Sequence, residues 1–127
     1  MRRVDPARSL KGGAAWRQGH AAEWLAAVWL MLTGHRILAF RLKTPQGEID
    51  LLAHKGRELI VVEVKRRRLR DAAELALTPQ QAKRLLAAGE AVRRSRPALR
   101  AHALRIDLIA LAPGRLPRHR KRLAFDG

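Results

Sequence analysis

Cysteine is absent from all 127 residues, which excludes disulfide bonds, thiolate metal sites and thiol-dependent catalysis. Long apolar runs are absent as well. The longest, residues 24–32, is nine residues long and too short to cross a bilayer. No apolar run precedes Trp16, so no signal peptide is expected. These absences predict a cytoplasmic protein with no membrane partner, because a chain without cysteine suits the reducing cytosol.

Several catalytic motifs are also missing. The five histidines, at positions 20, 35, 54, 102 and 119, show no HExxH spacing, which disfavours a zinc hydrolase. Neither Ser9 nor Ser95 lies in a G-x-S-x-G motif, and there is no glycine-rich phosphate loop. Zinc-dependent, serine-dependent and P-loop chemistries are therefore not predicted.

Acidic residues are scarce. Eleven Asp and Glu face 27 Lys and Arg, a formal net charge of +16. Such a balance favours a polyanionic partner, with nucleic acid first and an anionic membrane surface second. The alternative is a GC-rich genome, in which arginine is frequent for reasons unrelated to binding.

Hydrophobic periodicity predicts one α/β domain over residues 14–112, between a basic flexible arm (1–13) and a basic tail (113–127). The predicted elements are a helix at 14–32, a strand at 36–42, a hairpin at 47–66, a helix at 79–95 and a strand at 101–111. Thr78 and Gln81 form a capping box that starts the second helix. Gln81, Lys83 and Arg84 in its first turns are expected to be ordinary exposed residues, with approach to a substrate as the alternative. Arg105 and Asp107 share one face of the last strand and are expected to pair.

In the first helix, one apolar stripe is predicted to face the core. Its residues are Ala21, Leu25, Val28, Trp29 and Leu32. Glu23 lies on another stripe with the small residues Gly19, Ala26 and Ala27, and a buried carboxylate there needs a basic side chain or a metal as its partner. The alternative is a partly exposed Glu at the helix margin.

The hairpin carries charges inside apolar strands. If Lys55-Gly56 is the turn, Glu48 faces Glu63, and Asp50 is a diagonal neighbour of Glu63 at roughly 7–8 Å between Cα atoms. Carboxylates at Asp50 and Glu63 can hold Mg²⁺ or Mn²⁺, Glu23 can add a third, and the Lys65 ammonium can position a water molecule. Glu48 and Gln81 are possible supporting residues. The alternative is a half-exposed sheet with solvated acids.

Asp50, twelve intervening residues and Glu63-Val-Lys65 resemble the PD-(D/E)XK nuclease signature. Gly47-Glu-Ile-Asp-Leu-Leu-Ala53 with Leu59-Ile-Val-Val-Glu-Val-Lys65 resembles the bacterial YraN-like family, which is related in fold to archaeal Holliday-junction resolvases. The resemblance implies a restriction-endonuclease-like core, a central mixed sheet flanked by helices. It also implies metal-binding and catalytic roles for Glu23, Asp50, Glu63 and Lys65.

The first functional hypothesis is a Mg²⁺- or Mn²⁺-dependent endonuclease that hydrolyses phosphodiesters in DNA, rather than RNA, with branched and single-stranded DNA as candidate substrates. Basic residues would contact the nucleic-acid backbone. They are Arg41, Lys43, Lys65, Arg66, Arg67, Arg68 and Arg70. The segment 65–70 has a solvated loop as its alternative. The second hypothesis is a non-catalytic nucleic-acid-binding module on the same fold, and a third is a homodimer formed through the apolar first helix.

Overall fold

The computed structural model describes residues 13–66 and 77–123, and its elements follow the order predicted from the sequence. The helices and strands are α1 (Gly13–Leu32), β1 (Arg36–Thr44), β2 (Gly47–Lys55), β3 (Glu58–Arg66), α2 (Pro79–Ser95), a 3-10 turn (Pro97–Leu99), β4 (Ala103–Leu111) and β5 (Arg118–Arg120). The strand β5 was not predicted, because three residues are too few to show the period-two alternation of a strand.

The strands form one mixed sheet in the order β1-β2-β3-β4-β5. The first three are antiparallel neighbours, β3 and β4 are parallel, and β5 is antiparallel to β4. A parallel pair needs a long crossover, and α2 lies in the connection from β3 to β4. The α/β class and the helix–three strands–helix–strand order are as the sequence predicts.

The two helices cover opposite faces of the sheet. Side chains alternate along each strand, so Ile60 and Val62 of β3 pack with α1 whereas Leu59 and Val61 pack with α2. This arrangement leaves the central strands β2, β3 and β4 apolar on both faces. No helix in the described ranges is both long and apolar enough to traverse a bilayer.

The apolar stripe predicted for α1 is wrong. Leu25 is 59% exposed and Leu32 is 78% exposed, while the buried face is formed by small residues and one leucine. These buried residues are Ala22, Ala26, Ala27 and Leu30. Because residues 24–34 contain no charge, the pattern could not indicate which side faces the sheet. The alanine side allows the closest approach.

The predicted ends of both helices are confirmed. Gly34 has φ +88° and its N–H bonds the carbonyl of Met31, while the His35 N–H bonds that of Leu30, which is a Schellman motif. At α2, the Thr78 hydroxyl accepts the Gln81 N–H, and the Gln81 side chain accepts the Thr78 N–H. In this helix Leu86 is exposed and Ala88 is buried.

The predicted register of the hairpin is also wrong. Lys55 pairs with Glu58, so the two-residue turn is Gly56-Arg57 and not Lys55-Gly56. Glycine can supply a positive φ at either turn position, and Gly56 takes the first, with φ +59°. The correction moves Asp50 from a diagonal position to one directly across from Glu63.

Candidate active site

The candidate site begins where the β2–β3 ladder ends. The last paired residues are Leu51 and Val62, and Asp50 is the next residue of β2. Here a side chain replaces the backbone ladder, because Oδ2 of Asp50 accepts the backbone N–H of Val64 at 2.9 Å. The bond fixes the Asp50 carboxylate beside the residue that follows Glu63.

Glu63 is held against Asp50 in a largely buried position. Its side chain is 16% exposed. Burial, followed by the hydrogen-bonding and charge interactions with Asp50, raises the pKa of Glu63 to about 8, although Arg84 and Lys65 oppose the rise. Arg84 and Lys65 therefore do not fully offset the effect of burial and of Asp50 on Glu63.

Two cationic side chains adjoin the pair. Lys65, two residues along β3 from Glu63 on the same face, lowers the pKa of Glu63 through its charge. Arg84 of α2 places Nη2 at 3.9 Å from Oε2 of Glu63. Arg84, which is 41% exposed, thus lies near the pair, as the alternative for this residue predicts. No spacing in the sequence signals its role, because the contact depends on how α2 packs against β2 and β3.

Glu48 and Arg41 pair with each other rather than with the Asp50–Glu63 pair. Arg41 Nε lies 3.3 Å from Oε1 of Glu48, and Arg41 Nη1 contacts Nδ1 of His20 at 3.1 Å. Arg41 has φ +48°, a conformation that non-glycine residues rarely adopt. Lys43 lies elsewhere, lining a cavity of about 390 Å³ with Ser95 and Arg96.

Gln81 forms the capping box of α2 with Thr78, where it stabilises the start of the helix. The first two residues of the predicted basic segment 65–70 belong to β3. Of these, Lys65 is half-buried and Arg66 is exposed. The predicted contacts Arg67, Arg68 and Arg70 lie outside the described residues.

Glu23 lies on α1. Its Oε2 atom is buried and has no hydrogen-bond partner within residues 13–66 and 77–123. In the same ranges, no three His, Asp or Glu side chains gather closely enough to hold a metal ion. The structure thus brings together two of the three predicted carboxylates, and it leaves the third as a buried acceptor on α1.

The donor set of the pair suits a hard divalent cation. Asp50 and Glu63 supply carboxylate oxygens, which Mg²⁺ and Mn²⁺ prefer, and Mg²⁺ commonly needs only one or two carboxylates beside water and phosphate. Burial and the neighbouring Asp50 carboxylate both disfavour the ionised form of Glu63, and a cation bound between the two carboxylates would favour it. Asp50 and Glu63 are the residues that would hold such an ion.

A helix-flanked mixed sheet of this order, with Asp50 and Glu63-Val64-Lys65 on neighbouring strands, defines the restriction-endonuclease-like fold class. Comparison with known proteins identifies the family within this fold class. The model of the uncharacterised protein family UPF0102 matches residues 22–111, and the chain belongs to this family, the YraN-like family.

Relatives within the family are similar over most of their length. A UPF0102 protein of Caulobacter sp. (strain K31) is 54% identical over 112 residues, covering 88% of this chain and 81% of its own. One from Rhodopseudomonas palustris (strain BisB5) is 47% identical over 113 residues, or 89% and 86% of the two chains. One from Parvibaculum lavamentivorans is 47% identical over 118 residues, or 93% and 86%.

Proposed function

We propose that the protein is a Mg²⁺- or Mn²⁺-dependent endonuclease that hydrolyses phosphodiester bonds in DNA. The observation that carries this proposal is the Asp50–Glu63 carboxylate pair at the open end of the β2–β3 ladder, with Lys65 and Arg84 beside it. Acids that served only to stabilise the sheet would form close ion pairs, whereas the described ion pair of this site, between Arg84 and Glu63, is 3.9 Å long.

The residues have distinct roles in this proposal. Asp50 and Glu63 would hold the cation, which when bound activates water and offsets the charge of the phosphate. The Val64 N–H keeps the Asp50 carboxylate oriented by its 2.9 Å bond. Lys65 would hold the attacking water by a hydrogen bond and stabilise developing negative charge with its ammonium group.

The charge of the chain supports a nucleic-acid substrate. A net +16 favours binding to a polyanion, and Lys65 and Arg66 extend from the site along β3. Arg41 is already paired with Glu48, so it is a weaker candidate for phosphate contact than the sequence indicates. The proposed contact with DNA is through the backbone and carries little sequence preference.

A cleavage assay tests the proposal. Linear, nicked, single-stranded and four-way-junction DNA, each end-labelled, are incubated with the protein and Mn²⁺, Mg²⁺ or EDTA. Cutting should require the cation and fall by at least about a hundredfold in Asp50→Asn, Glu63→Gln and Lys65→Ala. Glu90→Gln is the matched control, because Glu90 pairs, within the part of the chain that the structure describes, with arginines of its own helix.

Cutting by the wild type that survives in Asp50→Asn would overturn the proposal, since a contaminating nuclease would explain it. Absence of cutting on all four DNAs, with salt-dependent binding unchanged in Asp50→Asn, would instead support the non-catalytic binding module. The homodimer stays a prediction, with sedimentation as its test.

A further inference from the structure

Arg84 lies against the start of β2. Its Nη1 atom is 3.4 Å from the backbone carbonyl oxygen of Glu48, and its Nη2 atom is 3.9 Å from Oε2 of Glu63. The guanidinium group therefore connects the start of β2 with the carboxylate pair. Both distances are long for hydrogen bonds of a charged group, which are typically about 2.7–2.9 Å.

Gly47 provides the space that Arg84 occupies. A Cβ atom at Gly47 would lie 2.7 Å from Nη1 of Arg84 and 3.0 Å from its Cδ, closer than side chains approach. Gly47 also has φ +136°, in the region that favours glycine. Any larger residue at position 47 would displace the Arg84 side chain from its position beside Glu63.

Arg84 is more accessible than the acid it approaches. Its side chain is 41% exposed, against 16% for Glu63. A guanidinium has five N–H donors in a planar fork that matches a phosphate group. In this position Arg84 has spare donors facing solvent, next to carboxylates that could release it.

We propose that Arg84 is a substrate-binding residue of the site, whose guanidinium leaves Glu63 for a phosphate of the DNA when a divalent cation occupies the carboxylate pair. The inference rests on the proposed function, because it needs the cation and the phosphodiester. It assigns the site a phosphate-binding arm from α2 that acts only in the cation-loaded state. Gly47 is then a positioning residue that acts through Arg84.

The proposal predicts that the Arg84 contribution to DNA binding depends on the cation. Fluorescence anisotropy with labelled single-stranded DNA is measured in Ca²⁺ and in EDTA, because Ca²⁺ binds carboxylates with relaxed geometry. Arg94→Gln is the matched control, removing the same charge from an exposed position of the same helix. In EDTA both variants should lose affinity equally. In Ca²⁺, Arg84→Gln should lose about tenfold more than Arg94→Gln.

Metal binding gives a second measurement that does not require cleavage. Because Arg84 competes for Glu63, Arg84→Gln should bind Mn²⁺ a few-fold more tightly than the wild type in titration calorimetry, and Arg94→Gln should not. Arg84→Lys keeps the charge but loses the fork, so it should restore the wild-type Mn²⁺ affinity without restoring the Ca²⁺-dependent gain in DNA affinity.

The role of Gly47 is tested with two alanine variants. Gly47→Ala should reproduce the DNA-binding defect of Arg84→Gln in Ca²⁺. Gly56→Ala should not, since Gly56 is also a glycine of positive φ but a Cβ there meets nothing within 4 Å. Circular dichroism of both variants checks that they fold, and a misfolded Gly47→Ala leaves the decision to the Arg84 variants.

The outcomes separate the inference from the proposed function. If Mn²⁺ binds the wild type but not Asp50→Asn, and Arg84→Gln behaves like Arg94→Gln in both DNA and metal binding, the inference is overturned and the metal site stands. If Mn²⁺ produces no Asp50-dependent heat in the wild type, the proposed function fails and the inference fails with it.

Discussion

Asp107 and Glu63 are neighbours on one sheet with opposite electrostatic environments. Glu63 is in register with Leu108 across the parallel β3–β4 ladder, and Asp107 precedes Leu108, so the two carboxylates are one position apart and project from opposite faces. Asp107 is fully buried and Glu63 is nearly so. Yet the pKa of Asp107 is lowered, whereas that of Glu63 is raised.

The Asp107 carboxylate is surrounded by cations and hydrogen-bond donors. Burial pushes the pKa of Asp107 up, but the bonds from His119 and the Arg122 N–H, with the charge and bonds of Arg105, outweigh it. Arg105 donates to both Asp107 oxygens at 3.1 Å, and to Glu58 at 2.9 Å. The cluster joins β3, β4 and β5, and it confirms the predicted Arg105–Asp107 pairing.

His35 completes this cluster as a neutral acceptor. Burial, and then the nearby cations, lower its pKa despite the bond to Leu30. Nδ1 bonds the Leu30 carbonyl at 3.1 Å, so Nδ1 carries the proton and Nε2 is free to accept from Arg105 at 3.2 Å. The end of α1 is thereby tied to β4.

The difference separates a structural cluster from the candidate functional one. Among the described residues, the charges around Asp107 have close partners, whereas the Asp50–Glu63 pair is approached by Lys65 and by Arg84, the latter at 3.9 Å from Glu63. Unfavourable electrostatics of this kind persist where function requires them. The comparison predicts that mutations will destabilise one cluster and stabilise the other.

The largest effect is expected from Arg105→Met. This change leaves Asp107 buried without its guanidinium partner and removes one of the two arginines that pair with the half-buried Glu58, and it should lower the free energy of unfolding by about 3–5 kcal/mol. Urea denaturation measures it, and Arg94→Met, on the surface, should stay within about 0.5 kcal/mol of the wild type. A loss below about 1 kcal/mol for Arg105→Met would show that the two clusters are not different in kind.

Sequence patterns captured the parts of this comparison that depend on local chemistry. The capping box and the Gly34 end follow from the types of residue present, and alternation placed Asp50 and Glu63 on one face. Patterns could not choose the register, since Gly56 suits either turn position, nor the buried side of the uncharged stretch 24–34. His119 in the short β5, and the approach of Arg84, depend on tertiary packing alone.

The next effect has the opposite sign. Glu63→Gln should stabilise the protein, because the unfolded chain releases the Glu63 proton near the ordinary pKa of 4.5 while the folded chain keeps it to about pH 8. Wild-type stability therefore falls as pH rises through this window, and the variant lacks this loss. The gain in stability should be near zero at pH 4.5 and reach about 2 kcal/mol at pH 8. It is smaller than the full pKa shift implies, because the substitution also alters the interaction with Asp50.

Denaturation at several pH values measures this gain in stability. Repeating the measurement with added Mn²⁺ tests its electrostatic cause. The cation should stabilise the wild type more than Glu63→Gln, because it neutralises a carboxylate that the variant lacks. Asp107→Asn provides the contrast, since it should be destabilising at pH 7. A Glu63→Gln variant that is less stable than the wild type at pH 8 would contradict the electrostatic account of the pair.

The smallest effect is expected from His119→Leu. His119 Nε2 donates to Oδ2 of Asp107 at 2.7 Å, and its loss should cost about 1 kcal/mol at pH 7, because Arg105 and the Arg122 N–H still bind the carboxylate. A lowered carboxyl pKa stabilises the fold above its ordinary value of 3.8, and this contribution is lost as pH falls through the folded pKa. The gap between wild type and variant should therefore narrow below pH 3.8. His119→Gln, which keeps a donor, should lose less, and a gap that is independent of pH would mean that His119 acts through packing and not through Asp107.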